Sequence, residues 1–175
     1  MNTKLKGYIL AAVSAATYGM NPLFALPLYD GGMDLFSALF FRYLFAIPIL
    51  AVMLKLRRRD FSIKKSDITP LIILGVLFAL SSITLFSSYN HMDAGVASTI
   101  LFLYPIIVAV IMFIFFKEKI SKMTMACIAV AMIGIALLCK SGDGAMISVK
   151  GLLFVFGSAL SYAIYIVYIN KSRIK

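Results

Sequence analysis

Six long apolar runs, separated by short polar stretches that carry nearly all the charge, constrain this chain more than anything else in it. They lie at about residues 7–28, 35–54, 68–88, 94–116, 123–139 and 151–169. A helix needs about 20 apolar residues to cross ~30 Å of hydrocarbon at ~1.5 Å per residue. Each run reaches or approaches that length, the fifth being the shortest. With 62% hydrophobic residues, against roughly 45–50% in soluble domains, the chain has more apolar surface than one soluble core can hide. Backbone in lipid must satisfy its own polar groups, and a helix does so within one segment. The expected fold is an all-α integral membrane protein with six transmembrane helices.

The net charge of +10 would suit a nucleic-acid partner, but its placement argues otherwise. Of the 17 Lys and Arg, fourteen fall on one side: Lys4 and Lys6, the stretch Lys55, Arg57, Arg58, Arg59, Lys64 and Lys65, then Lys117, Lys119 and Lys122, and finally Lys171, Arg173 and Lys175. The other side has Lys140 and Lys150, and Arg42 lies inside the second run. The excess of cations in short loops marks the cytoplasmic face, so both ends of the chain are expected there and the Lys55–Lys65 stretch over anionic headgroups. No nucleic-acid partner is expected. The first run is too long for a signal peptide and is followed by five more spans. Cys127 and Cys139 share one apolar run with no CxxC, and read as small packing residues. One histidine and seven acids, mostly in loops, offer no paired carboxylates or helical ligand spacing, and no Gly-rich loop with a lysine cradles a phosphate. Neither an enzyme, a cofactor nor a metal site is expected.

The opening motif recurs. Lys6-Gly7 with Ser14-Ala15-x-Thr17-Tyr18 returns 144 residues later as Lys150-Gly151 with Ser158-Ala159-x-Ser161-Tyr162. Residues 1–141 therefore read as one five-helix unit and 150–175 as the first helix of a second. Because five is odd, the two units must point through the bilayer in opposite directions. Inverted repeats with a binding site at the midplane between them are a recurring plan of secondary transporters.

The five-span unit resembles the EamA domain of the drug/metabolite transporter superfamily. The start at Lys6-Gly7 with Ser14-Ala15-Ala16-Thr17-Tyr18-Gly19 is similar to the family's first helix, and Phe41-Arg42-Tyr43 with Ala46 to its second. Ala94-Gly95-Val96-Ala97-Ser98 through Tyr104-Pro105 to Lys117-Glu118-Lys119 is similar to its fourth, and Gly134 and the restart at Gly151 also fit. The resemblance implies ten spans in full members and a bacterial inner-membrane secondary transporter. Such a protein moves small metabolites or drugs through rocking of one repeat against the other, without ATP. Its partners would be the lipid bilayer, a small-molecule solute and a proton or sodium ion. The chain would be a partial one, the first unit plus one helix of a second. The alternatives are a half-transporter that must form a homodimer and a non-transporting or degenerate six-helix membrane protein. Small multidrug resistance proteins, which dimerise in opposite orientations, have four spans and an acid in the first helix. This first helix has none.

Arg42 is the one ionisable group deep in a span, roughly 10 Å below the outer edge of its helix. It reads either as a positive point in a substrate path or as an arginine that snorkels to Asp30 or Asp34 and fixes the helix. Tyr18, Asn21 and Pro22 interrupt the first helix, with Asn21 a solute-binding or helix-joining group and Pro22 a hinge candidate. The break is not duplicated, because Asn21 and Pro22 correspond to Tyr165 and Ile166. Ser81, Thr84 and Ser88 share one face of the third span and either line a polar path or permit close packing. His91 beside Asp93 suggests a proton relay or a solvated loop. Tyr104 and Pro105 sit mid-span in the fourth run, a substrate-path and hinge pair or a static kink. Glu118 reads as a structural counter-charge between Lys117 and Lys119. Tyr162 and Tyr165 open the second unit and are expected to face the first helix across the pseudo-two-fold axis.

Overall fold

A computed structural model describes residues 3–58, 64–118, 125–126, 128–130, 132–134 and 148–172. Among these the fold is all-α, with no strand. The helices are α1 (Thr3–Gly19), α2 (Asn21–Asp30), α3 (Leu35–Leu56), α4 (Lys65–Ser88), α5 (Ala94–Leu101), α6 (Tyr104–Phe116) and α7 (Val149–Lys171). Five candidate spans result by length and composition: Leu5–Asp30, Leu35–Leu56, Lys65–Ser88, Ala94–Phe116 and Val149–Lys171. Each agrees with an apolar run of the sequence to within a few residues. In the stretch expected as the fifth span, residues 125–126, 128–130 and 132–134 are helical. The rest of 119–147, with Cys127, Cys139 and Lys140, lies outside the described residues.

Two spans are broken, each at a proline. Between α1 and α2 stands Met20, whose N–H donates to the Ala16 carbonyl at 3.2 Å while its own carbonyl accepts from Leu23 N–H at 3.1 Å. Pro22, in the first turn of α2, has no N–H to offer the Tyr18 carbonyl, so the ladder cannot run through. The fourth span divides the same way across Phe102 and Leu103, ahead of Pro105 in the first turn of α6. There Phe102 N–H donates to Thr99 and Leu103 N–H to Ile100, a tighter turn than the α-helix makes.

Aspartates start the helices that follow two of the turns. Asp34 accepts from Phe36 N–H at 3.1 Å, and Asp93 accepts from Gly95 and Val96 N–H at 2.8 and 3.1 Å. Each satisfies donors that the first turn leaves orphaned. A Cβ at Gly95 would lie 2.9 Å from the Asp93 carboxylate oxygen, so the glycine lets this cap close.

α7 packs chiefly on α4, then on α6 and α5, while α3 also leans on α4. Leu39, Leu85, Phe86, Ala97, Leu101, Val155 and Ala159 form the centre of that packing. One end of the bundle gathers the turn at 31–34, the turn at 89–93 and the start of α7. There Tyr29, Asp34 and Asn90 share one cavity, His91 stacks on Phe154 at 5.7 Å, and a Cβ at Gly151 would lie 3.1 Å from Met92. At the other end Glu118, just past α6, pairs with Lys171 in the last turn of α7 at 2.7 Å. α1 therefore begins at the end where α7 finishes. Large apolar side chains such as Phe40, Phe45 and Phe115 point outward, the surface that hydrocarbon suits.

Candidate functional site

α2 and α3 bring Asn21 and Arg42 together, and these two residues line two adjoining cavities. One, of about 240 Å³, is completed by Ser14, Thr17 and Tyr18 of α1. The other, of about 140 Å³, is apolar, with Phe24, Ala25, Leu28, Ala38 and Phe86. Asn21 opens α2 just past the break at Met20, which Pro22 imposes because an unbroken helix would leave it clashing with the turn before it. The Arg42 guanidinium carbon lies 5.4 Å from the centre of the Phe86 ring, a cation–π contact. Among the described residues no carboxylate pairs with it: the one ion pair is Lys171–Glu118, and the Asp34 carboxylate is taken by its cap.

Behind this site stands a row of aromatic rings. Tyr43 donates to Ser82 Oγ at 2.6 Å and stands edge-on to Phe78. Phe78 meets Tyr162 and Tyr165, and Tyr104 stands at 89° to Tyr162 with ring centres 4.8 Å apart. Tyr18, with Tyr43 and Tyr104, packs against the buried core of the bundle. At the turn after α4, burial pushes the Tyr89 hydroxyl up from its ordinary value, opposed by its hydrogen bond to Ser98 and by Arg42. Its neutral form is the one held there.

The candidate residues thus divide into three groups. Tyr18, Asn21 and Arg42 come together at the cavities, with Pro22 at the break beside them. Tyr104, Pro105 and Tyr162 meet at the interruption between α5 and α6. Ser81 and Thr84 are elsewhere. Ser81 exchanges bonds with Ser158, its Oγ 3.0 Å from the Ser158 Oγ and 3.1 Å from the Ser158 carbonyl, while Ser158 Oγ donates to the Ser81 carbonyl at 2.7 Å. Thr84 donates to the carbonyls of Leu80 and Ser81 in its own helix, and Ser88 likewise to Leu85. Glu118 finds its counter-charge on α7 in Lys171, whose ammonium also lies 4.6 Å from the Phe116 ring centre. Sequence reading missed that pair, because partners 53 positions apart give no local spacing to read. It also missed Phe86 as the ring under Arg42, and the Tyr29 hydroxyl, buried without a partner among the described residues. Among the described residues no group of three or more His, Cys, Asp or Glu gathers to hold a metal.

Comparison with known proteins bears on this arrangement. The EamA-like transporter family matches residues 5–139, which take in α1 from its third residue, all of α2 to α6, and every residue of the two cavities. An uncharacterized transporter, YvbV, of Bacillus subtilis (strain 168) is 33% identical over 99 residues, covering 54% of this chain and 32% of the relative. The match spans about a third of that relative's length. No solved structure matches. With the family covering most of its length, the chain belongs to the EamA-like transporter family of the drug/metabolite transporter superfamily and is a multi-pass membrane protein.

Proposed function

We propose that the chain supplies the first five-helix unit, and the first helix of an inverted second, of a secondary transporter for small amphipathic anions in a bacterial inner membrane. The observation that carries this reading is Arg42, a mid-span cation that shares two cavities with Asn21 and has no acidic partner among the described residues. An unpaired guanidinium at that depth costs at least ~2.5 kcal/mol unless a wet cavity or a counter-charge meets it. A solute carboxylate answers both needs, forming charge-assisted bonds with Arg42 while Asn21 and the Tyr18 hydroxyl take the remaining polar atoms. The adjoining apolar cavity, floored by Phe24, Leu28 and Phe86, accepts a hydrophobic tail. A relative named as a transporter and the family match support transport in general.

Rocking of one unit against the other would expose the site to each face in turn, with the interruptions at Met20 and at Phe102–Leu103 as the points that bend. The basic stretches support a topology with both ends of the chain in the cytoplasm, and coupling would be to a proton or sodium gradient. Uptake or export of labelled amphipathic anions in vesicles tests the reading. Arg42→Ala is expected to reduce flux about ten- to a hundredfold, the worth of one charge-assisted hydrogen bond, and Arg42→Lys to restore part of it. Unchanged flux in Arg42→Ala would remove the site from the path.

A further inference from the structure

A cavity of about 330 Å³ opens at the end of the bundle away from the Glu118–Lys171 pair, lined by Tyr29, Gly32, Met33, Asp34, Leu35 and Asn90. Three of these side chains hold polar atoms that find nothing to bond among the described residues. Asp34 spends one carboxylate oxygen, Oδ2, on the Phe36 N–H, which leaves Oδ1 unused. Asn90 gives its backbone N–H to the Ser87 carbonyl at 3.4 Å, and its side-chain amide bonds to none of the described residues. The Tyr29 hydroxyl is buried with no partner. Asp34 and Asn90 are exposed, so a small molecule reaches the cavity without any rearrangement of the helices.

The lining favours a cation. No Lys or Arg is part of it, so nothing in it answers an anion. A carboxylate oxygen only accepts, and the amide and phenol oxygens beside it accept as well. α2 and α4 both end at this cavity, at Asp30 and Ser88, and the C-terminal end of a helix carries partial negative charge. A primary ammonium meets these groups best, since it brings one positive charge and three N–H donors and forms charge-assisted bonds. Size points to an organic molecule, because sites for such molecules begin at roughly 300 Å³, far more room than a bare metal ion fills. Met33 and Leu35 supply an apolar wall for its carbon atoms.

We propose that this cavity binds a small organic ammonium ion, held by Asp34 Oδ1 with the Asn90 amide and the Tyr29 hydroxyl as further acceptors. The site is distinct from the one at Arg42. Asp34 and Arg42 are eight residues apart on α3, a rise of ~12 Å, and the two sites favour opposite charges. They share a groove, however. Leu28 of α2 and Ala38 of α3 line the apolar cavity at Arg42, and Tyr29 and Leu35 of the same helices line this one. A molecule held at Asp34 therefore stands between the Arg42 cavities and this end of the bundle. The inference goes beyond the anion reading and does not depend on it.

Saturation-transfer NMR on ethylammonium chloride, titrated against the purified 175-residue chain in a non-ionic detergent, tests it. Saturable binding is expected, and Asp34→Asn should weaken it at least about tenfold, the worth of one charge-assisted hydrogen bond. Asparagine starts a helix as well as aspartate does, so that variant removes the charge and keeps the cap of α3. Tyr29→Phe touches no cap and should weaken binding about threefold, the worth of a neutral hydrogen bond. Tetramethylammonium has the charge without N–H donors and should bind at least about fivefold more weakly than ethylammonium. Absence of saturable binding would overturn the proposal, as would Asp34→Asn or Tyr29→Phe binding like the parent. So would equal binding of tetramethylammonium, which would mean attraction by charge alone. Sodium chloride that displaces ethylammonium at equal concentration would make the cavity an alkali-ion site and overturn it too. No flux is measured, so the outcome stands apart from that of the Arg42 variants.

Discussion

α1 and α7 carry the same motif and meet opposite fates. In the span that begins with α1, 6% of the most apolar window is buried within the protein, against 28% for α7. Ser158, on α7, is fully enclosed and bonded to Ser81, whereas Ser14, its counterpart, is exposed beside Arg42. The difference lies in the partner and not in the helix, because lipid is as apolar as leucine and offers no driving force to bury one face over another. The two copies also differ in shape. α7 runs unbroken for 23 residues, while the first span breaks at Met20 ahead of Pro22. The straight copy holds the bundle together, and the broken one brings polar groups to the cavity.

The sharpest way to break that contrast is to put bulk on each copy. Ser158→Leu forces a large side chain between α7 and α4 and removes both bonds made by the Ser158 hydroxyl, so a destabilisation of about 3 kcal/mol is expected from overpacking and the lost bonds. Ser14→Leu in the same 175-residue chain should change stability by less than about 0.5 kcal/mol, as an exposed substitution does. Unfolding in detergent with increasing denaturant measures both, and equal costs would erase the difference between the copies.

A milder pair refines it. A Cβ at Gly151 would lie 3.1–3.2 Å from three atoms of Met92, so Gly151→Ala should cost about 0.5–1 kcal/mol as that flexible side chain shifts. Gly7→Ala meets open space and should be neutral or gain up to about 1 kcal/mol from helix propensity. The same unfolding assay checks the opposite signs. Smallest of all is the tie at the far end of α7. Lys171 and Glu118 are 37% and 52% exposed, so a double-mutant cycle of Glu118→Gln and Lys171→Met should return less than about 1 kcal/mol, falling further in salt.

Much of this molecule is written in short-range patterns. Run length gives the spans, Asp34 and Asp93 mark helix starts, and Pro22 and Pro105 mark the interruptions, each a matter of a few neighbouring residues. Arg42 stands out because a charge in an apolar run is costly wherever it sits. The pairings between spans are another matter. The 81, 84, 88 spacing puts three hydroxyls on one face of α4 but does not say that Ser81 is spoken for by Ser158, 77 residues away, while Thr84 turns back on its own helix. Glu118 has lysines on both sides in sequence, and its partner in space is Lys171 on α7. Which helix faces which is set by packing across the bundle, and small residues there are interchangeable enough to leave little trace in one sequence.

The inverted relation of the two copies can be read directly by labelling single cysteines at Thr3 and at Ser148 with a membrane-impermeant maleimide, in intact cells and then in opened ones. Ser148→Cys, just ahead of α7, should react in intact cells, and Thr3→Cys, at the start of α1, only once the membrane is opened. Reaction of both positions from the same side would place the two helices parallel in the bilayer and contradict the inverted repeat.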